Sequence, residues 1–157
     1  MQVSARLLRR KDACKEQVEK FRELFGDATI EVTEALCAKH AKVFDWDWAA
    51  ERLLSASLSA EYETEAAQLE AEYDDKRELL LAEYEAKRKP LWAEYEAKHA
   101  SLRAERPSLW EERASLWAEY ESKRAPLLAE YRAKRAPLWA EYEAKAAQLF
   151  GQLAERC

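Results

Sequence analysis

From residue 60 onward the chain repeats itself. The long units AEYETEAAQLE (60–70), AEYDDKRELLL (71–81), AEYEAKRKPLW (82–92) and AEYEAKHASLR (93–103) lead into two short ones, AERPSLW (104–110) and EERASLW (111–117). The long form returns as AEYESKRAPLL (118–128), AEYRAKRAPLW (129–139) and AEYEAKAAQLF (140–150), and GQLAERC follows. An eleven-residue period excludes strand, because strand side chains alternate with a period of two and each repeat would exchange its faces. Eleven residues fit three α-helical turns. The short units resemble long ones with Tyr-Glu-Ala-Lys removed, close to one helical turn, so neighbouring side chains stay on nearly the same face. Ala, Glu, Leu, Lys and Arg fill the units and are strong helix formers. With only Gly26 and Gly151 as glycines in 157 residues, turns are scarce and the expected fold class is all-α.

On a wheel of about 98° per residue, unit positions one, five and eight fall together. They form a small-residue stripe interrupted by one lysine: Ala82, Ala86 and Lys89, Ala93, Ala97 and Ala100, Ala129, Ala133 and Ala136, Ala140, Ala144 and Ala147. The opposite side is large and apolar: Tyr84, Leu91, Trp92, Tyr95, Leu102, Trp110, Trp117, Tyr120, Leu127, Tyr131, Leu138, Trp139, Tyr142 and Leu149. On the flanks, Glu83, Glu94, Glu119, Glu130 and Glu141 each stand four residues before a lysine, the favourable order on a helix. One neighbouring helix needs one apolar stripe; two stripes predict contact on two sides. The large stripe is therefore read as a self-association surface, since an isolated rod would leave it wet. Pro90, Pro126 and Pro137 share unit position nine, and Pro107 lies in the first short unit. No Gly or Asn accompanies them as a stop signal, so the pattern predicts a kinked but continuous helix over 59–150 in a coiled-coil-like or layered assembly. Unbroken, the helix over 60–150 would be roughly 135 Å long. Folding back, if it occurs, is expected at the short units around Pro107.

Residues 1–58 have another texture and predict a small helical head. Leu7, Cys14, Val18, Phe21 and Phe25 recur at helical spacing up to Gly26-Asp27. Ile30 and Val32 suit a short extended link, and Thr33 suits the cap of a helix carrying Leu36, Cys37, His40 and Val43. Asp45 or Asp47 can cap a further helix through Trp48, Leu53 and Leu54, running straight into the repeat. Residues 151–157 read as a C-terminal tail. The head motif DACKEQVEKFRELF…VTEALCAKHAKVFDWDWAAERLL, followed by AEYEAKRAPLW-like units, resembles a class of proteins encoded by tailed bacteriophages and prophages. The resemblance covers essentially the whole chain and implies a viral origin, and with it the host cytoplasm. It brings no activity and no functional residues with it.

Chemistry is sparsely provided. Two glycines cannot build a phosphate-cradling loop, a dinucleotide fingerprint or a nucleophile elbow. Cys14, Cys37 and His40 offer at most three metal ligands where structural zinc takes four; buried or free thiols in a reducing compartment are the simpler reading. No nucleophile sits in a recognisable setting, so no enzyme and no cofactor are expected. The net charge is −5 and no basic block exists, which argues against nucleic acid. No apolar run exceeds four residues, as at Leu79-Leu80-Leu81-Ala82, far below a membrane span; a cytoplasmic protein is expected. Phe44, Trp46 and Trp48 suit either a partner patch or a helix cap with core aromatics. The function expected is that of a structural or interaction protein whose partner is itself. Two alternatives stand beside it. One is an amphipathic helix on a lipid surface, opposed by the acidity and the charges on both flanks. The other is a multivalent adaptor or inhibitor that holds a host protein through the head.

Overall fold

In the computed structural model the described residues are 1–105 and 110–157. The elements are β1 (Gln2–Val3), α1 (Ala5–Arg10), α2 (Lys15–Phe25), β2 (Ile30–Glu31), α3 (Glu34–Lys39), α4 (Trp46–Leu53), α5 (Ala56–Glu105) and α6 (Trp110–Glu155). The fold is all-α apart from a two-residue antiparallel ribbon pairing Gln2 with Glu31 and Val3 with Ile30. Two compact units are distinguished. Unit 1 is Met1–Tyr73 with Trp139–Cys157, and unit 2 is Asp74–Leu138.

Unit 1 holds the hydrophobic core. Val3, Leu8, Val18, Phe21, Val32, Cys37 and Ala50 from the first 58 residues meet Tyr62 of α5 and Ala147, Leu149, Phe150, Leu153 and Ala154 of α6. The predicted caps are in place: Thr33 Oγ1 accepts from Leu36 N at 3.2 Å and Asp45 Oδ1 accepts from Trp48 N at 3.0 Å. Gly26, at φ +65°, ends α2, a conformation that costs glycine no Cβ clash.

Several expectations are corrected here. The helix read through Leu7 to Phe25 is two, because Asp12 adopts φ 63° between α1 and α2; Asp is among the few residues that visit this region readily. The helix after Asp45 does not run into the repeat: Leu54 is extended at φ −78°, ψ 165°, and Ser55 Oγ then accepts from Leu58 N at 3.4 Å to start α5. The segment 151–157 is not a tail. It continues α6 to Glu155 and sends Leu153 and Ala154 into the core. Gly151 permits this, since a Cβ there would lie 2.5 Å from Glu34 Cα.

The repeat forms two helices rather than one continuous helix over 59–150. Pro90 lies inside α5, and Pro126 and Pro137 lie inside α6; Pro107 lies outside the described residues. The interior prolines are tolerated because Pro90, Pro126 and Pro137 are exposed, as are Ala86, Ser122 and Ala133 four residues earlier. The carbonyl that each proline deprives of a donor can take water instead.

Candidate interaction surface

The large stripe is where the sequence placed an interface, and in unit 2 it faces the other arm of the same chain. Tyr84 packs at a tilt on Tyr131, 5.5 Å between ring centroids, and Tyr95 likewise on Tyr120 at 5.4 Å. Advancing eleven residues along α5 thus means retreating eleven along α6, which fixes an antiparallel register. Trp92 stands edge-on to Tyr120 at 5.3 Å, and Trp117 edge-on to Tyr95 at 5.5 Å. The Trp-x-x-Tyr of each arm therefore packs on the Tyr of the other, in the T-shaped geometry that aromatic quadrupoles favour. In unit 1 the same relation recurs: Tyr73 packs on Tyr142 at 5.7 Å and edge-on to Trp139 at 5.4 Å.

Charges close the stripe at its borders. Lys87 reaches Glu83 at 2.9 Å and Glu130 at 3.0 Å. Lys134 reaches Glu83 and Glu130, both at 2.9 Å. The i,i+4 pair of each arm thus meets the reversed pair of the other, and four charges alternate around a ring. Glu94, Lys98, Glu119 and Lys123 repeat the arrangement, with contacts of 2.6 to 3.6 Å. The two lysines bonding Glu83, Lys87 first and then Lys134, hold its carboxyl at about 2. Hydrogen bonds from lysine likewise lower Glu94, Glu119 and Glu130. Arg124 Nε donates to the Tyr84 hydroxyl at 3.3 Å and its guanidinium pairs with Glu121, so the phenol at the centre of the stripe is not left unbonded.

Coverage of the stripe by two arms is incomplete. Within the described part of unit 2 only Tyr84, 9% exposed, and Tyr120, 5% exposed, are buried. Leu91, Trp92, Tyr95, Leu102, Leu127, Tyr131 and Leu138 are half-buried. Trp117 is more exposed, and Trp110 is 74% exposed. The small-residue stripe of both arms faces outward, with Ala82, Ala86, Ala93, Ala97, Ala129, Ala133 and Ala136 all exposed. Between the arms lie cavities of about 10 Å³, lined by Leu80 and Leu127 in one layer and Leu91 and Leu116 in the next, room for a water at most.

In unit 1, Phe44, Trp46 and Trp48 are half-buried and belong largely to the core. Trp46 packs on Phe44 at 5.8 Å and on Phe150 at 5.4 Å, and its indole N–H donates to Ala41 O at 2.8 Å. Beside them is an apolar cavity of about 60 Å³ lined by Phe25, Leu36, His40 and Phe44 among others. Trp48 also borders an open groove of about 580 Å³ with Asp45, Asp47, Glu51, Glu63 and Glu70 on its walls and no lysine or arginine. Sequence reasoning missed this groove, because its acids come from α4 and α5 and only the packing of unit 1 brings them together. Asp47 also accepts a hydrogen bond from the Tyr62 hydroxyl at 2.9 Å, and burial with that neighbouring carboxylate pushes the Tyr62 phenol up.

Cys14 and Cys157 are exposed free thiols and Cys37 is a buried one. Burial, with the Glu155 carboxylate nearby, pushes Cys37 up to about 12. Among the described residues no three or more His, Cys, Asp or Glu groups are placed to hold a metal. No helix among them is long and apolar enough to cross a membrane. No protein-family model, no curated protein and no solved structure matches this chain.

Proposed function

We propose that this is a structural and protein-interaction protein, not an enzyme, that works by associating with further copies of itself through the repeat. The supporting observation is the incomplete coverage of unit 2. Two arms bury Tyr84 and Tyr120 but leave most of the stripe half-covered and Trp110 in solvent. Apolar surface exposed in this quantity on a repeat of fixed spacing favours further helical neighbours. The carboxylates of unit 2 whose partners are described are engaged with lysine or arginine rather than poised for proton transfer. Light scattering coupled to size exclusion, over a concentration series, tests the reading. Oligomers growing in with concentration support it; a strict monomer up to hundreds of micromolar rejects it.

A second reading, capture of a partner protein by the head, is favoured by the acidic groove beside Trp48. Its ligand would be a basic segment, drawn in by charge and anchored on the indole. Titration with an oligolysine peptide should change tryptophan emission at low salt and lose the effect at high salt. A Trp48→Ala chain that responds equally would remove this reading.

A further inference from the structure

We infer that α5 and α6 can exchange between two chains, giving an antiparallel dimer in which the α5 arm of each copy pairs with the α6 arm of the other. The inference rests on the self-association reading and names its geometry.

Three observations carry it. First, the contacts between the arms are nearly symmetric: Glu83 and Lys87 meet Lys134 and Glu130 in reversed order, and the Trp-Tyr pairs of the two arms pack on one another reciprocally. A second chain can supply every one of these groups in the same order and at the same spacing, so no contact between the arms is lost by exchanging them.

Second, the sequence keeps helical phase across the junction. Tyr95 and Tyr120 are separated by 25 residues, roughly seven α-helical turns, so one uninterrupted helix would carry both on the same face. A chain that only folds back has no need of that spacing, because a link of any length would serve. The short units AERPSLW and EERASLW also contain no glycine. Their proline is no bar to helix, as Pro90, Pro126 and Pro137 all sit inside one.

Third, Trp110 holds the repeat position of Trp92. Trp92 packs on two tyrosines, whereas Trp110, the first residue of α6, is 74% exposed. In the exchanged dimer the helices of the second chain run past this position and cover it. The partner is thus a second copy of the chain, held by the same face that closes the single chain, and opening and pairing are one event.

Distance measurement between spin labels on the full chain decides the matter. Cys14 and Cys157 are changed to Ser; Cys37 stays, buried and unreactive. Labels go on Ala86→Cys and Ala129→Cys, both exposed positions. Labelled chains are mixed with about a tenfold excess of unlabelled ones, unfolded in guanidinium and refolded at high concentration, and monomer and dimer are separated. In the monomer the two labels lie on adjacent helices. In the exchanged dimer they lie 43 residues apart on one helix, about 65 Å. A second pair, Ala97→Cys with Ala118→Cys, should move to about 32 Å and serves if the first pair perturbs folding. A dimer that keeps the short distance overturns arm exchange but leaves self-association standing. No dimer at any concentration overturns both.

Discussion

The unit AEYRAKRAPLW (129–139) and its successor AEYEAKAAQLF (140–150) are nearly the same sequence in two settings. In unit 2 the small-residue positions Ala129, Ala133 and Ala136 look outward. One repeat later Ala147 is fully buried, with Ala146 and Ala154 beside it, and Gly151 lies against the backbone of Glu34. A helix whose wide stripe is matched by another arm still has its narrow stripe free for close approach, and unit 1 uses that stripe to build a core. The repeat by itself supplies two faces, and covering both, as in unit 1, is what produces true burial.

The two units should differ most at unit position eleven. Phe150→Ala should cost unit 1 about 3–5 kcal/mol, the price of emptying a core aromatic site, whereas Leu128→Ala at the same position of unit 2 should cost less than half of that. Chemical denaturation of both variants checks it, and equal losses would show that burial does not separate the units. Next in size is unit position one. Gly151→Ala forces its Cβ onto the Glu34 backbone and should cost about 1–3 kcal/mol, while the bulkier Ala129→Leu should stay within about 0.5 kcal/mol. Thermal melts of the two chains read the contrast, and a harmless Gly151→Ala would mean that α3 can move away.

Acid sharpens the same contrast more gently. The carboxyls of Glu83, Glu94, Glu119 and Glu130 are lowered in the folded chain. Their contribution is complete above the unfolded value of 4.5 and is lost as pH falls, for Glu83 toward about 2. Hydrogen exchange should therefore show residues 83–98 losing protection between about pH 4.5 and 2 before residues 147–154 do. Simultaneous loss would make the rings irrelevant to the hairpin. The smallest effect on unit 1 is expected from shortening unit 2. Deleting 82–92 together with 118–128 removes one layer from each arm and should leave the protection of residues 147–154 unchanged. Deleting 82–92 alone strands eleven residues of α6 without a partner, so this chain should lose about as much helical circular dichroism as the double deletion. A loss only half as large would show that an arm is helical without its neighbour.

Much of this was legible in the residues. The eleven-residue period gave helix, Thr33 marked a helix start, and Asp45 is the one of the two offered acids, Asp45 and Asp47, that caps α4. The fold-back was harder to read, because AERPSLW and EERASLW keep helical phase and so fit an unbroken helix; only the match between two distant arms reveals the hairpin. A finer signal was present but unread. Units carrying Lys-Arg at 87–88, 123–124 and 134–135 belong to unit 2, while those reading Ala-Ala-Gln-Leu at 66–69 and 146–149 belong to unit 1. Replacing an arginine by Ala146 removes a charge where the helix must enter a core. The breaks at Asp12 and Leu54 were illegible, since no sequence rule demanded them and tertiary packing decides them. The acidic groove beside Trp48 was equally hidden, because its walls come from two separate segments that only the fold brings together.

The two arms close the aromatic stripe in one antiparallel register. Zero-length carbodiimide cross-linking, read by mass spectrometry, tests it most directly because it joins lysines only to carboxylates already in contact. Lys87–Glu130, Lys134–Glu83, Lys98–Glu119 and Lys123–Glu94 links are expected. Links displaced by one repeat, such as Lys87–Glu119 or Lys98–Glu130, in place of these would contradict this register.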